Sequence, residues 1–297
     1  MKYKMTDETI KVNGQTLHRI EALTCIPAIS VVAGDKGGFI ESEENLSQEG
    51  DCWVGGFAQV FDNARVACHA CIRDNAMVSG NAQVSNNAQV SNNAQVSGNA
   101  RVRDYAQVSG DAWVSGNAGV HDYAKVFGNA HMFEDAQALG DAQVYDNAKV
   151  SWYACICDNA IVSGQAQVSG QAQVSGFAWV TDNAQVFGKA QVSGNAQVFG
   201  NAKVGGNAQV YENAQVYENA QVSGNAHVYW NAHVYGKAQV YWNAHVYGDA
   251  HVYGDARVYG KAQVYSNARV YGSAQVTEDV SWDAQVSVST KMSSKDA

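Results

Sequence analysis

A strict six-residue period limits this chain more than any other feature. From Ala58 to Ala274 every sixth residue is Ala, 37 positions without an insertion or a substitution. Two residues after each Ala stands Val, as in Ala58-Gln59-Val60; Ile72, Met132, Ala138 and Ile156 are the exceptions between Val54 and Val276. With looser residues the pattern reaches back through Cys52 and Leu46 to Ile40 and forward to Val280 and Val286, giving 42 hexads over residues 40 to 291. A helix cannot use this spacing, because at about 100° per residue positions six apart fall about 240° apart and form no apolar stripe. A strand can. Ala and Val, two apart, point to one face, and the residue between them, usually Gln, points to the other. Gly, Asn or Asp fill the two positions before the next Ala, as in Gly80-Asn81 and Asp62-Asn63. Those residues tolerate the positive φ that turns a chain. Each hexad is therefore a short strand followed by a corner.

Composition supports this reading. Hydrophobic residues make up 46% of the 297, yet there are only four Leu (Leu17, Leu23, Leu46, Leu139) and a single Pro, Pro27. A conventional globular core is not built that way. The net charge of −9 excludes a ligand held by clustered basic residues, so no nucleic-acid partner is expected. No apolar run reaches membrane-spanning length, and the opening MKYKMTDETIKVNG has no secretory hydrophobic segment. The expectation is a cytoplasmic protein with no membrane partner. The six Cys (Cys25, Cys52, Cys68, Cys71, Cys155, Cys157) lack zinc-site pairing, so free thiols and no metal are expected.

The ends differ from the middle. Residues 1–39 lack the repeat and are expected to form a capping segment over the first coil, whose edge would otherwise be unpaired. Five acids between Glu41 and Asp51 discourage end-to-end stacking. The repeat domain is expected over 40–288, followed by a flexible tail at 289–297.

Hexads of the form V-x-G-N-A-x resemble the hexapeptide repeat of left-handed parallel β-helices. The resemblance implies an all-β, single-stranded left-handed parallel β-helix, a triangular prism with three hexads to a coil. Forty-two hexads make about 14 coils, roughly 65 Å at about 4.8 Å per coil. The junction Gly37-Gly38-Phe39-Ile40-Glu41-Ser42-Glu43-Glu44-Asn45-Leu46-Ser47, continuing to Cys52-Trp53-Val54, is similar to that of YdcK-type hexapeptide-repeat proteins of enteric bacteria and their prophages. That resemblance implies an acyl- or acetyltransferase: a homotrimer with no resident cofactor, using acetyl-CoA as co-substrate to acylate a hydroxyl or amine. The sequence has neither the protruding loop nor the C-terminal G-N-P-A segment found in such enzymes. Its unbroken frame suits a second reading, a non-enzymatic β-helical rod acting as scaffold or binding surface.

In those acetyltransferases a His is the general base. His131 is the preferred candidate because it lies in the one disturbed stretch, where two successive Val slots become Met132 and Ala138. An 18-residue coil stacks Trp113, His131 and Lys149 in one outward column, with Glu134 or Asp135 to orient the imidazole. An exposed His in a decayed repeat is the plainer reading. His121-Asp122 and His69, between Cys68 and Cys71, are further candidates. His227 and His245, like His233 and His251, are 18 apart and should stack in pairs, but two His supply only half of a metal site. Aromatic residues form columns in the C-terminal half: Phe199, Tyr217, Tyr235, Tyr253 and Tyr271 on one edge, Tyr211, Tyr229, Tyr247 and Tyr265 on another. Tyr241 and Tyr259 occupy the third edge, with Trp230 and Trp242 at nearby corners. Such columns suit a trimer contact, or else a polysaccharide or protein partner. Outward Gln columns, such as Gln173, Gln191 and Gln209, are expected to form side-chain amide ladders.

Overall fold

The computed structural model describes residues 1–287 and divides into two compact units, residues 1–147 and the residues from 148 on. Residue 288 and the expected tail at 289–297 lie outside the described residues.

The first unit begins with β1 (Tyr3–Val12) and β2 (Gln15–Ala22), an antiparallel hairpin. Its turn is Asn13-Gly14, with φ of 50° and 88°, the conformation that a two-residue hairpin favours. β2 pairs antiparallel with β3 (Lys36–Ile40), and β3 pairs parallel with Gln59–Val60. β3 thus carries the chain from an ordinary hairpin into the repeat. It runs tight against the first coil, where a Cβ on Gly38 would collide with the Ala58 carbonyl oxygen. Only Gly fits there.

Beyond β3 the first unit consists of two-residue strands in three parallel sheets, five or six strands deep. Each strand pairs in register with the strand 18 residues on, as Gln89–Val90 does with Gln107–Val108. The ladder runs between N–H groups and carbonyls of successive coils, for example Gln59 N to Ala76 O at 2.9 Å. Ala and Val of every hexad point inward at 0–1% exposure, and the residue between them points out. Burial of each Val contributes about 1.5–3 kcal/mol. At the corners the second residue before Ala takes a left-handed conformation: Asp62 at φ 58°, Asn86 at 60°, Gly98 at 68°. The following Ala N–H closes a turn, as in Ala64 N to Phe61 O at 3.3 Å. An acidic residue at the left-handed position also reaches one coil onward. Asp62 Oδ2 accepts from Gly80 N at 2.9 Å, and Asp122 Oδ2 from Gly140 N at 3.0 Å.

The start of the repeat is fastened by a buried Asn. Asn45 Oδ1 accepts from the Glu41 and Ser42 N–H groups at 3.1 and 2.8 Å, while Nδ2 donates to Asp62 O and Ala64 O at 3.0 and 2.9 Å. Every polar atom of the amide is satisfied, so its complete burial carries little penalty. Lys2 is buried nearby, its ammonium donating to Cys52 O at 2.8 Å and to Cys52 Sγ at 3.1 Å.

The second unit repeats the same coil in three parallel sheets seven or eight strands deep. Six turns in the first unit and eight in the second make the 14 that the period implies. The frame does not, however, run unchanged to Val286. After Val276 it contracts by two residues: Val280 bridges Val264, and Arg269–Val270 pairs with Gln285–Val286, both offsets of 16 rather than 18. Asp279 Oδ1 accepts the Gln263 N–H at 3.0 Å where a longer hexad would supply another strand residue.

The amide ladders form, but at the corners rather than along the Gln columns. Asn63, Asn81, Asn99 and Asn117 each donate Nδ2 to the residue one coil on, ending at Asp135 Oδ1, over 2.9–3.1 Å. The second unit has the same device from Asn195 to Asn213 to Asn231 to Asp249. Short corner side chains are fixed at the coil spacing, whereas the longer Gln amides bond elsewhere, as Gln89 Oε1 does with Arg73 Nη2 at 2.7 Å.

The corner geometry yields a test. Gly98→Asn should destabilise less than Gly98→Val, since Asn86 and Asn92 hold the same conformation, although any Cβ at Gly98 must shift the Gly116 backbone 2.8–2.9 Å away. Gly98→Val should cost about 1–2 kcal/mol, because a β-branched side chain is strained at positive φ. Guanidinium unfolding of both variants checks this difference.

Candidate functional site

Among the expected catalytic residues, the structure brings His131 and Trp113 together. Their strands pair in register, and the imidazole meets the indole edge-on, with ring centroids 5.6 Å apart. The indole is held by its own bond from Nε1 to Ser97 Oγ at 3.3 Å. Glu134 sits at the next corner with φ 60°, and its carbonyl accepts the Asn117 N–H at 2.7 Å. Asp135 is committed elsewhere, as the end of the Asn63 amide ladder. Lys149 belongs to the second unit, exposed on a strand paired with Gln167–Val168. The irregularity that drew attention to this stretch is a packing event. Met132 and Ala138 are both at 0% exposure, filling the inward slots that Val holds in other hexads.

His121 is the more constrained imidazole. It is only 6% exposed, folded over Gly119, where a Cβ would overlap both its Nε2 and the Gln137 amide oxygen. Arg103 Nε donates to His121 Nδ1 at 2.7 Å. A guanidinium can only donate, so Nδ1 is the acceptor and the ring proton lies on Nε2, in a hydrogen bond with Gln137. Burial, and then the Arg103 charge, hold its pKa below the ordinary 6.5. The ring is neutral with both nitrogens engaged, which leaves no lone pair for a substrate proton. His121 is a structural clasp.

The cysteine thiols are similarly quieted. Burial raises the pKa of Cys52, Cys71 and Cys155, and it pushes Cys157 up to about 12 with help from Cys155 beside it. A thiol held in its protonated form is a poor nucleophile and a poor metal ligand. Among the described residues, no group of three or more His, Cys, Asp and Glu side chains converges to hold a metal ion, and no helix is long and apolar enough to cross a membrane.

The most extensive chemical order is in the second unit. Tyr211, Tyr229, Tyr247 and Tyr265 stack face to face at 4.9–5.1 Å, as do Phe199, Tyr217, Tyr235, Tyr253 and Tyr271 at 4.8–5.3 Å. Tyr241 and Tyr259 form a third stack at 5.1 Å. His227 stacks on His245 at 4.7 Å and His233 on His251 at 4.8 Å, and Tyr rings meet these imidazoles edge-on. Trp230 and Trp242 occupy left-handed corners at φ 58° and 63°, where Gly or Asp usually stands. Each indole lies edge-on to a Tyr pair while remaining more than half exposed. Stacked imidazoles 4.7 Å apart are too widely separated to share one metal at ordinary Zn–N distances of about 2.0–2.1 Å.

The first unit holds a groove that the sequence did not single out. Tyr105 and Tyr123 occupy successive corners, stacked at 4.9 Å and each more than half exposed. They border a hollow of about 470 Å³ that Gln107, Lys125 and Asp141 complete. A second hollow, of about 380 Å³, adjoins it through shared Asn87 and Gln89 and reaches the Asp51–His69 pair.

A family model described as the YdcK beta solenoid repeat matches residues 106–122, 250–265 and 262–278. The chain carries YdcK-type solenoid repeats. The matches fall in both units, and each covers about one coil. No curated protein matches the chain.

The His stacks predict a pH response. Burial holds His227, His233 and His251 below 6.5, and the neighbouring imidazole adds to this for His227 and His251. A depressed folded-state pKa means that the unfolded chain binds more protons on acidification. The contribution is complete above pH 6.5 and is lost as pH falls through the folded values. Thermal unfolding between pH 7.5 and 5 should therefore show Tm falling with pH. A His233→Gln/His251→Gln variant should show a shallower fall.

Proposed function

We propose that this protein is a non-catalytic binding solenoid that self-associates through the aromatic ladders of its second unit. The observation behind this reading is the order of those ladders: ten Tyr and one Phe in three stacks, with exposed Trp230 and Trp242 braced against them. Large exposed aromatic surfaces mark interfaces, and Tyr and Trp dominate the energetics of such contacts. A ladder repeated at the coil spacing matches a second copy of itself along its length. A homotrimer is the assembly we favour, and a polysaccharide or protein on the same face is the competing outcome. Half-buried thiols that stay protonated suit a reducing, cytoplasmic setting.

The second reading is acetyl-CoA-dependent acyl transfer to a hydroxyl or amine. It is favoured by His131 lying against Trp113, with Glu134 at the next corner as a supporting residue. The two readings separate in a calorimetric titration with acetyl-CoA in reducing buffer. The binding-solenoid reading expects no saturable heat up to millimolar ligand. Saturation near one site per chain, with transfer to an acceptor lost in His131→Ala, would replace it with the transferase.

Self-association has its own test. Tyr235→Glu with Tyr253→Glu should shift the solution mass by light scattering to monomer. An unchanged oligomer would remove this ladder from the interface.

A further inference from the structure

We propose that the groove in the first unit binds an uncharged, linear saccharide chain. The proposal deepens the binding-solenoid reading but uses a different surface, and it does not depend on self-association. The groove follows one corner and the face beside it. Cys71, Gln89, Gln107 and Lys125 stand in register on that face, one per coil. The two hollows of about 380 and 470 Å³ share Asn87 and Gln89, so they run end to end across successive coils. Each falls within the usual size of a small-ligand site.

The side chains suit a sugar. Tyr105 and Tyr123 are parallel to within 6°, so the outer ring faces of the pair look along the groove in opposite directions. The residues above and below them in the column, Asp141 and Asn87, are short, and space opens over both ring faces. An aromatic face with a polar tip is the surface on which the C–H face of a pyranose ring packs while its hydroxyls find partners.

Asn87 supplies such partners. Other corner Asn residues spend Nδ2 on an amide or carboxylate one coil on, as Asn63 does on Asn81. The residue one coil beyond Asn87 is Tyr105, which has neither amide nor carboxylate, so Asn87 makes no rung of that kind at the groove. Gln89 is oriented by the Arg73 guanidinium, which donates to its Oε1 and so fixes which side of the amide carries the Nε2 donor. Amides offering donor and acceptor together match adjacent sugar hydroxyls.

Charge argues against a polyanion. The fixed cations at the groove, Lys125 in the lining and Arg73 bonded to Gln89, are matched by two carboxylates, Asp51 (3.2 Å from His69) and Asp141. No positive excess remains to hold phosphate or uronate, and the chain carries −9 overall. The repeat also fits a linear polymer, because the coil step, 4.9 Å between the two Tyr rings, is close to one pyranose unit of an extended chain.

Native affinity electrophoresis of the full-length protein tests this directly. The gels contain hydroxyethylcellulose, soluble starch or dextran as neutral polymers, and polygalacturonate as the charged comparison. The wild type should be retarded by at least one neutral polymer and not by polygalacturonate alone. Tyr105→Ala/Tyr123→Ala should weaken that retardation about tenfold or more. Trp230→Ala/Trp242→Ala, on the second unit, should not change it. Circular dichroism checks that the Tyr variant is folded, and Gln107→Ala provides the same readout should it not be. Absence of retardation by every neutral polymer, or retardation that survives both groove variants, overturns the proposal. Retardation lost only in the Trp variant overturns it too, by placing the saccharide on the second unit. The acetyl-CoA titration is unaffected by any of these results, so failure of the saccharide site is distinguishable from failure of the non-catalytic reading.

Discussion

The backbone ladder between residues 18 apart is the constraint on which the rest of each unit depends. A two-residue strand has too few hydrogen bonds to persist alone, and here its N–H and carbonyl groups are answered by the coils on either side. The ladder works only if the chain turns sharply three times per coil. That requirement places Gly, Asp or Asn at the left-handed corner position and Ala immediately inside it. Where the corner is acidic, its carboxylate also takes the N–H of the next coil, so one residue serves both the turn and the ladder.

In-register stacking turns sequence repetition into chemistry. When like residues recur every 18 positions, their side chains meet at the coil spacing, whether Asn amides, Tyr rings or imidazoles. The same rule explains why the outward surface is well ordered yet chemically mild. Burial beneath neighbouring coils favours neutral forms, raising the pKa of the Cys52, Cys71, Cys155 and Cys157 thiols and lowering that of His121, His227, His233 and His251. Catalysis draws on one singular constellation, whereas this scaffold produces rows. Distinctive sites arise where a row breaks. Tyr105 standing at a corner position where Asn is common and Trp242 occupying a Gly-type corner are two such breaks.

The Ala–Val period was enough to exclude helices, to place strands and corners, and to set the number of turns. It also predicted the Tyr and His stacks, because residues 18 apart have no other relation to one another in a coil of three hexads. It was less reliable where identity and length interact. Gln repeats more often than any other outward residue, yet the amide ladder formed on Asn, whose short side chain cannot reach past its neighbour. The contraction after Val276 was hidden because Val280 and Val286 keep the residue types of the frame while leaving its spacing.

The sequence by itself determined the fold, because a period of six with inward Ala and Val has one way to bury its apolar side chains and satisfy its backbone. Only the tertiary structure decided which polar side chains remain available. His131 and His121 look alike as letters, but one lies beside an indole and the other is clasped on both ring nitrogens. The groove at Tyr105 and Tyr123 has no sequence signature of its own. It exists because four short segments, 18 residues apart along the chain, are brought to one corner by the coil.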